Sequence, residues 1–220
     1  MSPPWGSWAG TGPTSVAEPQ PPGALAVALH DVRFLGGLWL NALPALLFGT
    51  LVVLAPLALA DGGFSPLAIG LVFLTAGLVE VVANPVLGRY SDRVGRLLPI
   101  RFALGAAVVV STALAFADSR TAIALLVCAA AIAFGGFYTP GMALVSDRAE
   151  AAGLAQALAF GVMNTAWALG NVTGPSAGGA LAERFGDAVP YALGGALCLL
   201  TLLAAQLVAR GRPRMAGAEA

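Results

Sequence analysis

Six long runs of apolar residues constrain the fold of this chain more than any other feature of its sequence. A helix needs roughly 20 residues to cross the hydrocarbon core of a bilayer, and each run has at least about that length. The runs are too long and too uniformly apolar for barrel strands, which alternate in polarity over roughly 10 residues. We therefore predict an all-α membrane protein with six transmembrane helices. The runs cover about residues 34–60, 64–88, 97–117, 121–146, 153–181 and 188–209.

The composition agrees with lipid as the surroundings of the folded chain. Of the 220 residues, 58% are hydrophobic and only 10% are charged, whereas soluble domains usually contain about 25% charged residues. The net charge of zero argues against a nucleic-acid partner. The single histidine, His30, precedes the first run, and the sequence has no catalytic triad, metal-binding cluster or phosphate-binding loop. We expect no enzymatic activity, no cofactor and no metal.

The placement of arginine predicts the orientation, with both termini in the cytoplasm. Cytoplasmic loops of membrane proteins contain an excess of Lys and Arg, and this chain has Arg but no Lys. In the predicted orientation, only Arg120 and Arg184 lie outside. The arginines that lie inside are Arg33, Arg89, Arg93, Arg96, Arg101, Arg148, Arg210, Arg212 and Arg214.

The chain divides into a tail, a membrane unit and a second, short tail. Residues 1–32 are rich in Pro and Gly and predict a disordered tail or linker, and residues 211–220 predict a cytoplasmic tail. Between them, residues 33–210 predict a six-helix unit of two inverted three-helix repeats, about 33–120 and 121–210. Five positions recur 91 residues later, as Gly88/Gly179, Asp92/Glu183, Arg93/Arg184, Gly95/Gly186 and Pro99/Pro190.

The loop predicted between the second and third runs contains the motif Gly88-Arg-Tyr-Ser-Asp92-Arg93-Val-Gly95-Arg96. This motif resembles the signature loop of the major facilitator superfamily, although the family continues with further basic residues and this chain does not. The resemblance implies a gating latch that closes against the fifth helix of a second half. From the residues alone, the glycines allow a tight turn and the arginines hold the loop at the headgroups. A purely topological role is the alternative.

A second motif, Gly170-Asn-Val-Thr-Gly174-Pro175-Ser-Ala-Gly178-Gly179, lies in the fifth run. It resembles a signature in the fifth helix of family members that export substrates against protons. Three of its glycines recur every fourth residue on one helix face, which permits close contact with another helix. Pro175 is expected to bend or loosen that helix. A leak-limiting helix pair and ordinary small-residue packing both stay open as interpretations.

Glu80 is the only acidic residue well inside an apolar run. A lone carboxylate in a membrane helix is costly, so Glu80 is a candidate proton site. An ion pair with Arg101 on the next helix is the structural alternative. Polar amides within the runs either line a solute path or form hydrogen bonds between helices. These residues are Asn41, Asn84, Asn164 and Asn171.

The resemblance implies a secondary active transporter of a small solute in the plasma membrane, with proton-coupled export by antiport as the finer prediction. Members of the family build their path from two six-helix halves. The expected partners are therefore the bilayer, a solute, protons and a second half, either a copy of this chain or a separate chain. The Pro-rich tail before the first run favours the carboxyl half. In an assembly we expect Asp92 to meet the partner's fifth helix near Gly153. A truncated half or membrane scaffold that does not transport is the alternative.

Overall fold

The computed structural model describes residues 23–210 of the chain, without the side chains at positions 209 and 210. All regular structure in this part is helical, which confirms the predicted all-α class. Seven helices follow one another within it. They are α1 (Ala24–His30), α2 (Val32–Asp61), α3 (Pro66–Val94), α4 (Leu97–Ala115), α5 (Arg120–Ala151), α6 (Gln156–Phe185) and α7 (Ala188–Arg210).

Helices α2 to α7 correspond to the six predicted apolar runs, with ends that differ by a few residues. Five of them, α2, α3, α4, α5 and α7, are long and apolar enough to cross a membrane. Helix α6 has 30 residues but is less apolar, because Asn, Thr, Ser and Gly interrupt it. The chain is thus a multi-pass membrane protein, whereas the sixth span at α6 remains a prediction.

Helix α1 lies inside the range that we expected to be a disordered tail, so that prediction is wrong for its seven residues. The sequence of α1 is composed mainly of Ala and Leu, which are strong helix formers, and the prolines that suggested a tail end before it. Ala24 and Ala28 are buried in a cluster that also contains Phe34 and residues of α5 and α6. Two parts of the predicted tails lie outside the described residues, 1–22 and 211–220.

Helices α2 and α5 form the centre of the bundle and pack against each other. Helix α2 also packs along α6, α5 packs along α3, and α4 lies against both α5 and α7. The core is apolar: Leu43 and Phe137 are completely buried, and Phe48 meets Phe134 edge-on with ring centroids 5.4 Å apart. Because the buried side chains concentrate on α2 and α5, most of α3 is exposed to lipid or to another chain.

Glycines with positive φ mark corresponding turns before α3 and α6. Gly63 precedes α3 with φ 85°, and Gly153 precedes α6 with φ 66°, 90 residues later. Positive φ favours glycine, because side chains clash in this region. Prolines within the two helices have the same spacing, at Pro85 and Pro175. This spacing of 90 residues is one less than the 91 from which the repeat was predicted, and the repeat itself stays a prediction.

Candidate functional site

Helix α3 continues through the signature segment as far as Val94, so most of that segment is helical. Gly88 lies inside the helix and makes no turn, so this part of the prediction is wrong. The turn is made by Gly95, which ends α3 with φ 86°. Sequence reasoning placed the helix end too early because a glycine can be accommodated within a helix as well as after it. Asp92 and Arg93 lie exposed on the last turn of α3.

Two ion pairs connect helix ends where α3 stops. Arg96 Nη2 lies 2.9 Å from Asp147 Oδ2, near the end of α5. Arg148 Nη2 lies 2.5 Å from Asp31 Oδ2, and Arg148 Nε donates a hydrogen bond to the same oxygen at 2.6 Å. Asp31 also caps α2, since its Oδ1 accepts a hydrogen bond from the Arg33 backbone N–H at 2.8 Å. The two pairs thus join the start of α2 and the α3–α4 turn to α5.

Asp31 is held in its charged form by these neighbours. Desolvation by burial raises the pKa of Asp31, but several interactions together outweigh that effect. The Arg33 backbone N–H and the Arg148 side chain donate hydrogen bonds, and the Arg148 charge attracts the carboxylate. The pKa of Asp31 therefore lies below its ordinary value of 3.8. The ion pair with Arg148 is accordingly present at neutral pH.

Helix α6 packs on α2 along its glycine face, and we name this contact the α2–α6 seam. Gly170, Gly174 and Gly178 are buried in the seam. A Cβ built on Gly170 or Gly174 would overlap a backbone carbonyl of α2, and one built on Gly178 would stand 2.9 Å from the side chain of Thr50. Thr50 Oγ1 also donates a hydrogen bond to the Gly174 carbonyl at 3.2 Å. The glycines are thus necessary for the helices to approach this closely.

The other two residues of the glycine motif have different surroundings. Pro175 packs against α2 at Gly49, where a Cβ built on Gly49 would stand 2.5 Å from Pro175 Cδ. Gly179 has open space beside it, with no atom within 4 Å of a built Cβ. The seam is a tight pair of helices within one chain, so both interpretations of the three buried glycines stay open. Gly179 takes no part in that packing.

Glu80 faces α5 across a glycine. Its Oε1 accepts a hydrogen bond from Asn84 Nδ2 at 3.4 Å, and a Cβ built on Gly135 of α5 would stand 3.3 Å from the same Oε1. Tyr138 lies three residues, about one turn, beyond Gly135 on the same face of α5. The Tyr138 ring packs on Trp167 of α6, with ring centroids 4.9 Å apart. We name Glu80, Asn84, Tyr138 and Trp167 the Glu80 cluster.

Most of the remaining candidate residues do not join the Glu80 cluster. Arg101 forms no ion pair with Glu80, since the ion pairs found between residues 23 and 210 involve other groups. Asn41 is completely buried, and its Nδ2 donates to a carbonyl of its own helix at 2.7 Å, which fits a packing role. Asn164 and Asn171 are exposed on α6. Only Asn84 lies beside Glu80, as their helical spacing predicts.

Sequence reasoning missed the two aromatic members of the Glu80 cluster and the Asp31–Arg148 pair. Tyr138 and Trp167 lie in long apolar runs, where an aromatic residue usually belongs to the core. Asp31 and Arg148 are 117 positions apart. The only available signal for their pairing was that both fall at the same predicted end of the bundle. That signal does not single out one carboxylate among several.

Comparison with known proteins identifies the class. Residues 37–219 match the sequence profile of the Major Facilitator Superfamily, and the chain belongs to this family. It is 27% identical over 134 residues to the probable vesicular acetylcholine transporter-A of Danio rerio, a match that covers 60% of this chain and 26% of the relative. It is also 27% identical over 135 residues to the vesicular acetylcholine transporter of Tetronarce californica, covering 60% of this chain and 25% of the relative.

These matches confirm the resemblance seen in the sequence. They also confirm the prediction that the chain is not an enzyme, because the family and the relatives are transporters. The matched stretch spans only about a quarter of the length of the two relatives. Activity and substrate are therefore inferred below from the residues of this chain, with the relatives as support.

Proposed function

We propose that this chain forms a six-span transport unit that moves a small solute across a membrane in exchange for protons. The observation that supports this most directly is the Glu80 cluster. A carboxylate inside a membrane helix is costly, and such groups mark ion and proton pathways. Among the described residues, Glu80 accepts a hydrogen bond from the Asn84 amide and takes part in neither ion pair. A carboxylate without a fixed cationic partner is free to hold either a proton or a positively charged solute.

A small organic cation is the solute class that suits the cluster. The face of an aromatic ring attracts a cation, and aromatic residues commonly recognise quaternary ammonium groups. Tyr138 lies one turn beyond Gly135, which faces the Glu80 carboxylate, and the Tyr138 ring packs on Trp167. Two of the relatives are named for acetylcholine, which is such a cation. When the cation and a proton compete for the Glu80 carboxylate, the protein exchanges one for the other across the membrane. Protons that enter along their gradient then drive export of the cation.

A second six-helix unit completes the transport path in this proposal, either a copy of this chain or a separate chain. The exposed length of α3 and the polar exposed face of α6, with Asn164 and Asn171, support a partner at these helices. The two inverted repeats and the cytoplasmic termini belong to the proposal. So does the latch, in which Asp92 meets the partner's α6 near Gly153. We assign the assembly to the plasma membrane, with a vesicle membrane as the alternative that the relatives' names suggest.

Proteoliposomes that contain the purified chain test the exchange. Radiolabelled acetylcholine is supplied outside, and an acid interior provides the proton gradient. The Glu80→Gln variant should lose gradient-driven uptake, because an amide does not exchange a proton. Glu150→Gln is the matched control, since it removes an exposed carboxylate at the end of α5 and should retain uptake. Equal gradient-driven uptake by Glu80→Gln and the unmodified chain contradicts the proton role.

Crosslinking tests the assembly separately from transport. Cysteines at Asp92 and at Ala152, which avoids the positive φ of Gly153, should form an intermolecular disulfide in membranes if two copies pair. Asp92→Cys with Asp118→Cys is the control, because these positions lie at opposite ends of the bundle. Light scattering of the purified protein should then give twice 22.0 kDa. A monomer without crosslinks contradicts self-pairing and favours a separate partner chain.

A further inference from the structure

A groove of about 860 Å³ opens on the flank of the bundle between α2, α4 and α7. Its walls are mainly apolar, and several of the side chains that form them, such as Leu200 and Val208, are more than half exposed. Along α7 the groove extends from Leu197 to Val208, a rise of about 16 Å at 1.5 Å per residue. This length is about half of the roughly 30 Å hydrocarbon thickness of a bilayer. The groove therefore matches one leaflet.

One end of the groove is basic. Arg33, Arg96 and Arg101 line it where α2 and α4 begin, and no Asp or Glu among the described residues lines it. Arg96 is paired with Asp147, whereas Arg33 and Arg101 take part in neither of the ion pairs found between residues 23 and 210. This end of the bundle is also the arginine-rich end, which belongs at the headgroup level of a membrane.

Arg101 provides a second, independent observation at the same end. Its Nε is buried and has no hydrogen-bond partner within the described part of the chain. A buried donor without a partner is costly, and a guanidinium binds phosphate through paired, charge-assisted hydrogen bonds. An anionic oxygen that reached Arg101 from the groove would give this donor a partner.

Further inside the groove, by contrast, the polar groups of Trp39 and Thr201 have hydrogen-bond partners. Trp39 lines it about 10 Å along α2 from Val32, seven residues at 1.5 Å each. The indole N–H donates a hydrogen bond to Thr201 Oγ1 at 2.8 Å, which ties α2 to α7. The rest of the Trp39 ring contributes an apolar surface. The groove thus changes from cationic at one end to apolar along its length, which is the polarity of a lipid.

We propose that this groove binds an anionic phospholipid of the adjacent leaflet, with its phosphate between Arg33 and Arg101 and an acyl chain along α7. Basic pockets between membrane helices bind the head groups of such lipids. The groove shares no residue with the Glu80 cluster, so the site is separate from the proposed solute site. The proposal requires only that the chain lies in a membrane and does not depend on transport.

Native mass spectrometry of the delipidated full chain, titrated with phosphatidylglycerol or phosphatidylcholine of identical acyl chains, tests the site. The unmodified chain should retain phosphatidylglycerol in preference to phosphatidylcholine. Arg33→Gln with Arg101→Gln should weaken retention of phosphatidylglycerol at least about tenfold, since each surface cation contributes about fivefold. Arg89→Gln with Arg93→Gln is the matched control. It removes the same charge from the same end of the bundle, outside the groove, and should weaken retention less than the groove variant does.

Three further results distinguish a bound lipid from misfolding, nonspecific binding and a soluble phosphate ligand. Arg33→Lys with Arg101→Lys should restore most of the retention, which excludes misfolding as the cause of the loss. Ala204→Phe, which narrows the apolar part of the groove, should weaken retention of the intact lipid. Equal losses in the two glutamine double variants, or equal retention of the two lipids, would overturn the proposal in favour of nonspecific binding. Equally tight binding of the headgroup alone, as glycerophosphoglycerol, would overturn it in favour of a soluble phosphate ligand.

Discussion

Gly95 and Gly186 end α3 and α6 with nearly the same backbone geometry. Gly95 has φ 86° and ψ 157°, and Gly186 has φ 88° and ψ 158°. The two residues lie 91 positions apart, and each is followed within two residues by the next helix. This combination of φ and ψ is open essentially only to glycine. The same tight connection therefore occurs twice in the described part of the chain.

Alanine at either of these glycines should destabilise the protein. A non-glycine residue in this conformation costs about 1–3 kcal/mol, and each kcal/mol lowers the melting temperature of a chain of this size by about 2–4 °C. Thermal unfolding in detergent measures the change for Gly95→Ala and Gly186→Ala. Gly105→Ala in α4, beside open space, should leave the melting temperature unchanged or raise it, because Ala favours a helix. Equal melting temperatures for all three variants contradict the assigned geometry.

The α2–α6 seam predicts that glycines of α6 inside and outside the seam differ in how well they tolerate alanine. Gly170→Ala and Gly174→Ala should each destabilise the bundle by about 1–3 kcal/mol, because the added methyl group forces α6 away from α2. Gly161→Ala lies in the same helix with open space beside it and serves as the control. Thermal unfolding in detergent distinguishes them. If Gly161→Ala lowers the melting temperature as much as the other two variants, close packing at the seam is not the cause of the destabilisation.

Asp31 predicts a pH-dependent contribution to stability. Asparagine caps a helix about as well as aspartate, so Asp31→Asn should remove mainly the charge interaction with Arg148, which stabilises the fold at pH 7. Since the folded-state pKa lies below the ordinary 3.8, the charge stabilises the fold fully above the unfolded-state pKa and less as pH falls through the folded-state pKa. The difference in melting temperature between Asp31→Asn and the unmodified chain should therefore be constant from about pH 7 to 5 and shrink below about pH 4.

The control for Asp31 is the more exposed ion pair. In that pair, the side chains of Arg96 and Asp147 are 33% and 50% exposed, and such pairs contribute about 0–1 kcal/mol. Asp147→Asn should thus lower the melting temperature less than Asp31→Asn at pH 7. If the melting-temperature difference between Asp31→Asn and the unmodified chain grows as the solution becomes more acidic, the pKa of Asp31 is raised rather than lowered.

The predicted orientation can be tested with single cysteines in a chain that lacks Cys128 and Cys198. Asp118→Cys and Asp187→Cys lie at exposed turns at one end of the bundle, and Arg93→Cys lies at the other. If both termini are cytoplasmic, a membrane-impermeant maleimide added to intact cells should label the first two positions and not the third. Labelling of Arg93→Cys alone would reverse the orientation.

Much of the fold follows from local features of the sequence. The apolar runs predict α2 to α7, since their length and polarity suffice without knowledge of any contact. The exceptions have local causes. Helix α1 was missed because its Ala-rich sequence follows a Pro-rich stretch, and the end of α3 was placed too early because glycines at 88 and 95 were both assigned to one turn.

The candidate site follows from the sequence only in part. Glu80 stands out because a single charge in an apolar run is costly wherever the helix packs, and Asn84 shares its face by helical spacing. Tyr138 and Trp167 do not stand out, since their roles depend on the α3–α5 and α5–α6 contacts. The glycine motif indicated close packing, but the structure identified α2 of the same chain as the partner helix.

The membrane as solvent, the helical class and the family can all be inferred from the amino-acid sequence, because hydropathy, arginine placement and short motifs are local properties. The pairing of distant residues depends on the packed bundle: Asp31 meets Arg148, Gly174 meets Thr50, and Trp39 meets Thr201. The physical reason is that many helix arrangements bury a similar apolar area, whereas few of them allow close backbone contact at the glycines and satisfy the polar groups at the helix ends. Those short-range requirements select one arrangement, and they become visible only when the helices are packed together.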